Sequence, residues 1–163
     1  MKTLIISDLH IGSKGCKTEE ILELLKDESY DRYILVGDII DGWLFIKYKR
    51  FTYEHARVIR RLLKLSKNKE IIWISGNHDE FLRPMIPYGF SFGLIEIQNQ
   101  TEHVGIDGKR YLITHGDLFD GITRLAPWLA FLGDKLYDLV LEWNSKFNWI
   151  RHKLGFGYWS LSK

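Results

Sequence analysis

Four short blocks of this chain gather side chains able to hold cations or move protons: Asp8-Leu9-His10, Gly37-Asp38-Ile39-Ile40-Asp41, Gly76-Asn77-His78-Asp79 and His115-Gly116-Asp117. Carboxylate oxygen, imidazole nitrogen and amide oxygen together suit hard-to-borderline divalent metals such as Mn²⁺, Fe²⁺ or Zn²⁺. Taken singly, each block is ordinary. An Asp after a strand is commonly a turn former or a helix cap, and an isolated His is commonly a structural residue. It is their recurrence at four predicted strand ends that points to a two-metal centre. Cys16 is the single cysteine, which excludes an internal disulfide and a cysteine-rich zinc site and suits a reducing compartment.

The elements that must position these residues are legible as apolar runs. Leu4 to Ser7, Tyr33 to Val36 and Ile71 to Ser75 are short, largely β-branched segments followed at once by Asp or Gly, the pattern of buried parallel strands. Helical patterns separate them over Thr18 to Lys26 and Tyr53 to Lys67. Thr18 is a candidate cap for the first, and Ala56, Ile59, Leu62, Leu63 and Ser66 form the apolar stripe of the second. The order β-α-β-α-β predicts an α/β fold whose chemistry collects beyond the carboxyl edge of a parallel sheet. Gly37 and Gly76 each precede a block residue at a strand exit, where a missing Cβ permits unusual dihedrals and close approach. Further on, Leu94 to Gln98, Glu102 to Ile106 and Arg110 to Thr114 read as added antiparallel strands, the last two flanking a tight Asp107-Gly108 turn.

In combination the four blocks resemble the calcineurin-like metallophosphoesterases, whose pattern is D-x-H, G-D-x-x-D, G-N-H-[DE], a later His and a final G-H-x-H. The resemblance implies a metallophosphoesterase-type sandwich and two divalent metals, Mn²⁺ foremost, with Fe²⁺, Zn²⁺ or Mg²⁺ as alternatives. It also implies ligand roles: Asp8 and His10 on the first metal, Asp38 bridging both, Asn77 and His115 on the second. His78 would be the general acid and Asp41 the residue that orients it. The implied reaction is in-line attack of a metal-bridging hydroxide on the phosphorus of a phosphodiester or pyrophosphate.

Ile-Ser-Asp-Leu-His-Ile-Gly-Ser, Gly-Asn-His-Asp-Glu-Phe-Leu-Arg and Thr-His-Gly-Asp-Leu-Phe-Asp are similar to the branch that contains UDP-2,3-diacylglucosamine hydrolase and its relatives. The hydrolase commonly carries Arg where this chain has His78, so the chain stands nearer to the relatives. A lipid-linked sugar nucleotide is then one implied substrate, and a nucleic-acid or nucleotide phosphodiester is the alternative. A metal-binding or partner-binding module with impaired catalysis is a third reading, because the G-H-x-H block is absent. The sandwich is therefore expected to be cut short, being either part of a longer protein or completed by another chain or by self-association. Should the missing ligands come from within the chain, His55, His103 and His152 are candidates to complete the site.

Residues 1–120 form the expected phosphoesterase core and residues 121–163 a helical, aromatic-rich, lid-like segment. Trp128, Leu132, Leu136, Leu139, Trp143, Phe147 and Ile150 recur there at helical spacings. Basic residues outnumber acidic ones from Arg124 on, which would suit an anionic lipid surface or a protein partner. A second basic cluster, Arg57, Arg60, Arg61, Lys64 and Lys67, could attract phosphodiesters but is more commonly a solvated helix face. No apolar stretch reaches the about 20 residues needed to span a bilayer, and the amino terminus shows no export signal, so a cytoplasmic protein is expected, able to sit peripherally at the inner membrane surface. At 163 residues, 45% hydrophobic and 27% charged, the composition excludes disorder. A net charge of +2 gives no general argument for nucleic-acid binding.

Overall fold

The computed structural model describes residues 1–48 and 51–119. All of these except Phe119 belong to one compact unit, Met1–Leu118. The expected lid-like segment, with its lipid-contact and partner-contact roles and His152, lies outside the described residues.

Three strands, β1 (Thr3–Ile6), β2 (Arg32–Val36) and β3 (Glu70–Ile74), pair in parallel, with Ile5 opposite Ile34 and Ile34 opposite Ile72. Their nearly unbroken apolar sequences follow from burial on both faces of β2 and β3. On one face, Tyr33, Leu35, Ile71 and Trp73 pack with Ile21 and Leu25, and with Val58, Leu62 and Leu65 of a helix described below. On the other face, Ile34, Ile72 and Ile74 pack against Val36 and Ile113. Full burial of one such aliphatic side chain is worth about 1.5–3 kcal/mol, so each of the alternate positions of β2 and β3 stabilises a different layer.

The first crossover carries α1 (Thr18–Leu24). Thr18 opens this helix rather than capping it, and the preceding Lys17 offers no side-chain cap. The second crossover holds two helices, α2 (Gly42–Tyr48) and α3 (Tyr53–Leu65), where the sequence shows one. Thr52 and His55 close α3 with a reciprocal capping box: the His55 amide donates to Thr52 Oγ1 at 3.4 Å and the Thr52 amide to His55 Nδ1 at 3.3 Å. That use of His55 removes it as a ligand candidate. Of the expected stripe, Leu62 and Ser66 are buried and Ile59 and Leu63 pack half-buried against the core, whereas Ala56 is exposed and His55, Val58 and Leu65 complete the buried face. Arg57 reaches Glu19 at 2.6 Å, and Arg61 binds Leu25 O and Glu28, so part of the basic cluster fastens α3 to α1 and its following loop.

After β3 a 3-10 helix (Glu80–Tyr88), kept short of α-helical geometry by Pro84 and Pro87, returns the chain across the sheet. β5 (Ile95–Gln98) consequently pairs with β3 in parallel, and only the two-residue β4 (Ser91–Phe92) is antiparallel to it, giving the order β1-β2-β3-β5-β4. The expectation that Leu94 to Gln98 adds an antiparallel strand is corrected: the intervening segment is long enough for a crossover. β6 (Gln100–Val104) and β7 (Arg110–Thr114) are antiparallel, as expected, but form their own two-stranded sheet. Their loop is wider than an Asp-Gly turn, closing from the Gly105 amide to Lys109 O at 2.9 Å, with Gly108 at φ +74°. Through Ile113 the hairpin covers the second face of the main sheet. The whole is a mixed α/β fold dominated by its parallel sheet.

Candidate metal centre

The carboxyl ends of β1, β2 and β3 carry the first three blocks, and the end of β7 carries the fourth. Backbone hydrogen bonds continue past the strands and hold the exit loops together. Asp8 N donates to Gly37 O at 3.2 Å, His10 N to Asp38 O at 2.8 Å, and Gly37 N to Ile74 O at 2.8 Å. Asp8, His10 and Asp38 all take left-handed backbone conformations, with φ of 56°, 44° and 54°. A side chain in this region is uncommon outside Asn, Asp and His, and three on adjacent loops turn their side chains toward one place.

Asp38 is the hub. Its Oδ1 accepts the His78 amide at 2.9 Å. Its Oδ2 lies 3.9 Å from His10 Nε2, 4.0 Å from His78 Nε2 and 3.8 Å from His115 Nε2. These distances are too long for hydrogen bonds. Those to His10 and His115 suit donors flanking a cation, because two ligands each about 2.1 Å from a metal lie at most about 4.2 Å apart. Two groups of ligand atoms converge, Asp8 with Asp38 and His115, and His10 with Asp41 and His78. The donor set fits divalent metals, and of the five expected ligands Asp8, Asp38 and His115 fall in one group and His10 in the other, while Asn77, an amide, belongs to neither of these sets of carboxylates and imidazoles. The His10 ring faces Asp38 through Nε2 and Asp41 through Nδ1, the latter at 3.7 Å, which is why it groups with Asp41 and His78 rather than with Asp8. Asn77 is half-buried in the loop between Gly76 and the Asp38-bound amide of His78.

Two glycines make this closeness possible. Gly37, at φ +69°, lies under the His115 ring, and a Cβ there would come within 2.3 Å of it. Gly76 needs no special dihedral, but a Cβ on it would meet Asp38 Oδ1 at 2.3 Å and Asp38 N at 2.6 Å.

The second group is electrostatically coupled. His78 Nδ1 lies 3.4 Å from Asp41 Oδ1, as an ion pair rather than an aligned hydrogen bond, since that buried nitrogen has no well-directed partner. Burial alone would lower the His78 pKa, but Asp41 and the charge of Asp38 outweigh it and raise the value above the ordinary one. His10 is raised chiefly by Asp41. Burial opposes ionisation of Asp41, yet the two imidazoles and the Leu44 amide hold its carboxyl well below the usual range. Asp41 has a further role, because the Leu44 amide donates to its Oδ1 at 2.9 Å and so caps α2. Trp43 lies across the His78 ring at 4.1 Å between centroids.

Three further residues, to which the sequence assigns no role, shape the site. Asp79, fully buried, accepts from Gly76 N, Ile39 N and Trp73 Nε1 at 2.5, 2.9 and 2.9 Å, so it staples the β2 and β3 exits together. Burial pushes its pKa up, against those three donors. Asp117 meets His115 Nδ1 at 2.9 Å and pairs with Arg83. The signal for Asp117 is its place two residues beyond His115, and for Asp79 the acid that closes the third block. Arg83, on a separate element, has no local signal. His103 lies on β6, half-buried, away from both groups.

Residues 1–160 match the family model described as calcineurin-like phosphoesterase. Among curated proteins, the DNA polymerase II small subunit of Methanothermobacter thermautotrophicus is 29% identical over 169 residues, which cover 84% of this chain and 34% of that protein. Among solved structures, the E. coli phosphoesterase YfcE is similar with a TM-score of 0.44 and 25% identity, over 72% of this chain and 59% of that one. The Pseudomonas putida nuclease MPE is similar with a TM-score of 0.32 and 25% identity, over 48% and 40%. The chain thus spans about a third of the curated relative it matches.

Proposed function

Because the chain belongs to the calcineurin-like phosphoesterase family, we propose that it hydrolyses a phosphodiester with two divalent cations held by Asp8, His10, Asp38, Asn77 and His115. The observation that carries this reading is the environment of Asp38, whose Oδ1 is bound to the His78 amide while Oδ2 faces three imidazoles at 3.8–4.0 Å. Bound there, the cations lower the pKa of water and neutralise charge on phosphoryl oxygens.

The chain's own residues do the rest. His78 Nε2 points toward Asp38 Oδ2 and so into the cluster, while Nδ1 faces Asp41. Asp41 keeps the imidazole charged and oriented, and Nε2 is the atom that hands a proton to the leaving oxygen. Trp43 covers one face of the ring and keeps water from it. Mn²⁺ is the preferred cation on donor chemistry, which mixes carboxylate, amide oxygen and imidazole.

Among substrates, a nucleic-acid or nucleotide diester is favoured over a lipid-linked sugar nucleotide by one observation. The likeness to a DNA polymerase small subunit extends over 84% of this chain. The same likeness supports a chain that works in a larger assembly. The test is hydrolysis of a generic aryl phosphodiester with added Mn²⁺, expected to be abolished by chelator. A folded protein that turns over neither this ester nor a pyrophosphate at any Mn²⁺ concentration would leave only the metal-binding or partner-binding reading.

A further inference from the structure

Beside the metal-facing atoms lies a second layer of charge that joins two loops remote in sequence. His115 Nδ1 is 2.9 Å from Asp117 Oδ1. The other oxygen of Asp117 pairs with Arg83 Nη2, and the same nitrogen donates to Ser75 O at 3.2 Å. Ser75 is the last residue before the Gly76-Asn77-His78 loop, and Arg83 stands on the 3-10 helix that follows it. The Asp117 side chain is 5% exposed and that of Arg83 28%.

We propose that Asp117 and Arg83 are positioning residues that fix the tautomer and the rotation of His115 and set His115 in register with Asn77. This rests on the functional reading above for its purpose but not for its geometry. A carboxylate at Nδ1 accepts a hydrogen bond from the ring N–H, so the proton stays on Nδ1 and Nε2 is left unprotonated, the form in which imidazole binds a metal. Nε2 is the atom that faces Asp38 Oδ2. The ring packs over Gly37, so closely that a Cβ there would come within 2.3 Å of it. The Arg83 guanidinium then couples the exit of β7 to the exit of β3. One nitrogen, Nη2, serves both acceptors through two N–H bonds fixed in the guanidinium plane, a geometry that the freely rotating ammonium group of a lysine does not impose. The two residues assigned to the second metal, Asn77 and His115, are in this way aligned by one side chain that touches neither.

The experiment uses the 163-residue chain, first stripped of metal. Side-chain nitrogen shifts of His115 report its tautomer. The Nδ1–H form is expected in the parent, and a mixture of tautomers in Asp117→Ala and Arg83→Met. Calorimetric Mn²⁺ titration of the same variants is expected to show affinity weakened about 10–100-fold, with Arg83→Lys recovering only part of it. Asp117→Asn, which keeps the side-chain shape, serves where Asp117→Ala fails to fold. An Nε2–H parent, or variants that bind Mn²⁺ as the parent does with an unchanged tautomer, would overturn the proposal. A parent that shows the Nδ1–H form but takes up no Mn²⁺ would overturn the metal reading and leave the positioning pair standing.

Discussion

The amide of His78 donates to Asp38 Oδ1 at 2.9 Å, so the residue assigned as general acid also fixes, through its backbone, the carboxylate assigned as the metal bridge. Oδ2 of Asp38 is thereby aimed at the imidazoles. Asp38→Asn keeps an oxygen for that amide and turns an NH₂ toward the cluster. It is expected to lower metal content at both sites and to weaken Mn²⁺ binding by more than the about 10–100-fold that loss of an outer partner costs. Elemental analysis after dialysis checks this; an unchanged metal-to-protein ratio would remove Asp38 as the bridge.

His78→Ala is expected to slow hydrolysis most for esters with a basic leaving oxygen and least for activated aryl esters, since an acid matters when the leaving group needs its proton. A loss of about 10²–10⁴-fold on the poor leaving group is in the range for general-acid help. Asp41→Asn should follow the same trend to a smaller extent, because Asp41 acts through His78. Rates across a series of leaving groups decide it, and parallel losses for all members would argue against an acid role.

The buried charges also set how the metal-free protein responds to pH. Asp41 is held below its ordinary range, so its contribution to stability is present above about pH 3.9 and is lost as pH falls through the depressed value. His10 and His78 are held above theirs, so their contribution is complete below about pH 6.5 and is lost as pH rises through the raised values. The chelated chain is expected to be most stable between about pH 4 and 6.5, with Tm falling on both sides. In Asp41→Asn the alkaline decline should flatten. Thermal melts across pH with chelator present test this, and an identical decline in the variant would contradict the pairing.

Gly76→Ala should cost about 1–3 kcal/mol by overpacking, because its Cβ meets the backbone and carboxylate of Asp38, and should weaken Mn²⁺ binding as well. Thr52→Ala removes the capping box of α3 and should cost about 1 kcal/mol with metal affinity unchanged. Denaturant melts paired with metal titrations separate the two effects. Equal metal affinity in Gly76→Ala would mean that the loop adjusts without moving Asp38.

The first three blocks were legible because each follows closely on a short apolar, largely β-branched run that reads as a strand. Asp8, Asp38 and His78 needed no knowledge of distant packing to be singled out. What was hidden depended on long-range direction or on doubled roles. The orientation of β5 depends on the Pro-rich 3-10 segment before it, which has no clear period. α2 is seven residues long, mostly apolar, and its cap is Asp41, a residue whose chemistry had already been assigned elsewhere. Arg83 and Asp117 meet across 34 residues of sequence, so their pairing had no local trace.

The left-handed backbone at Asp8 carries a consequence for how selection acts on this chain. Asp8 is exposed and sits at φ 56°, where the strain of a side chain that a glycine would relieve, about 1–2 kcal/mol for an ordinary residue, exceeds the roughly 0.4–1 kcal/mol that the freer unfolded chain of a glycine costs. Asp8→Gly should therefore make the metal-free chain slightly harder to unfold and the Mn²⁺-loaded chain easier to unfold, so that the ranking of parent and variant inverts as metal is added. A mutational screen for thermal tolerance alone would favour the glycine, and a screen for retained metal would reject it. An Asp in place of the glycine that this backbone would accept is what the metal role proposed for Asp8 would require.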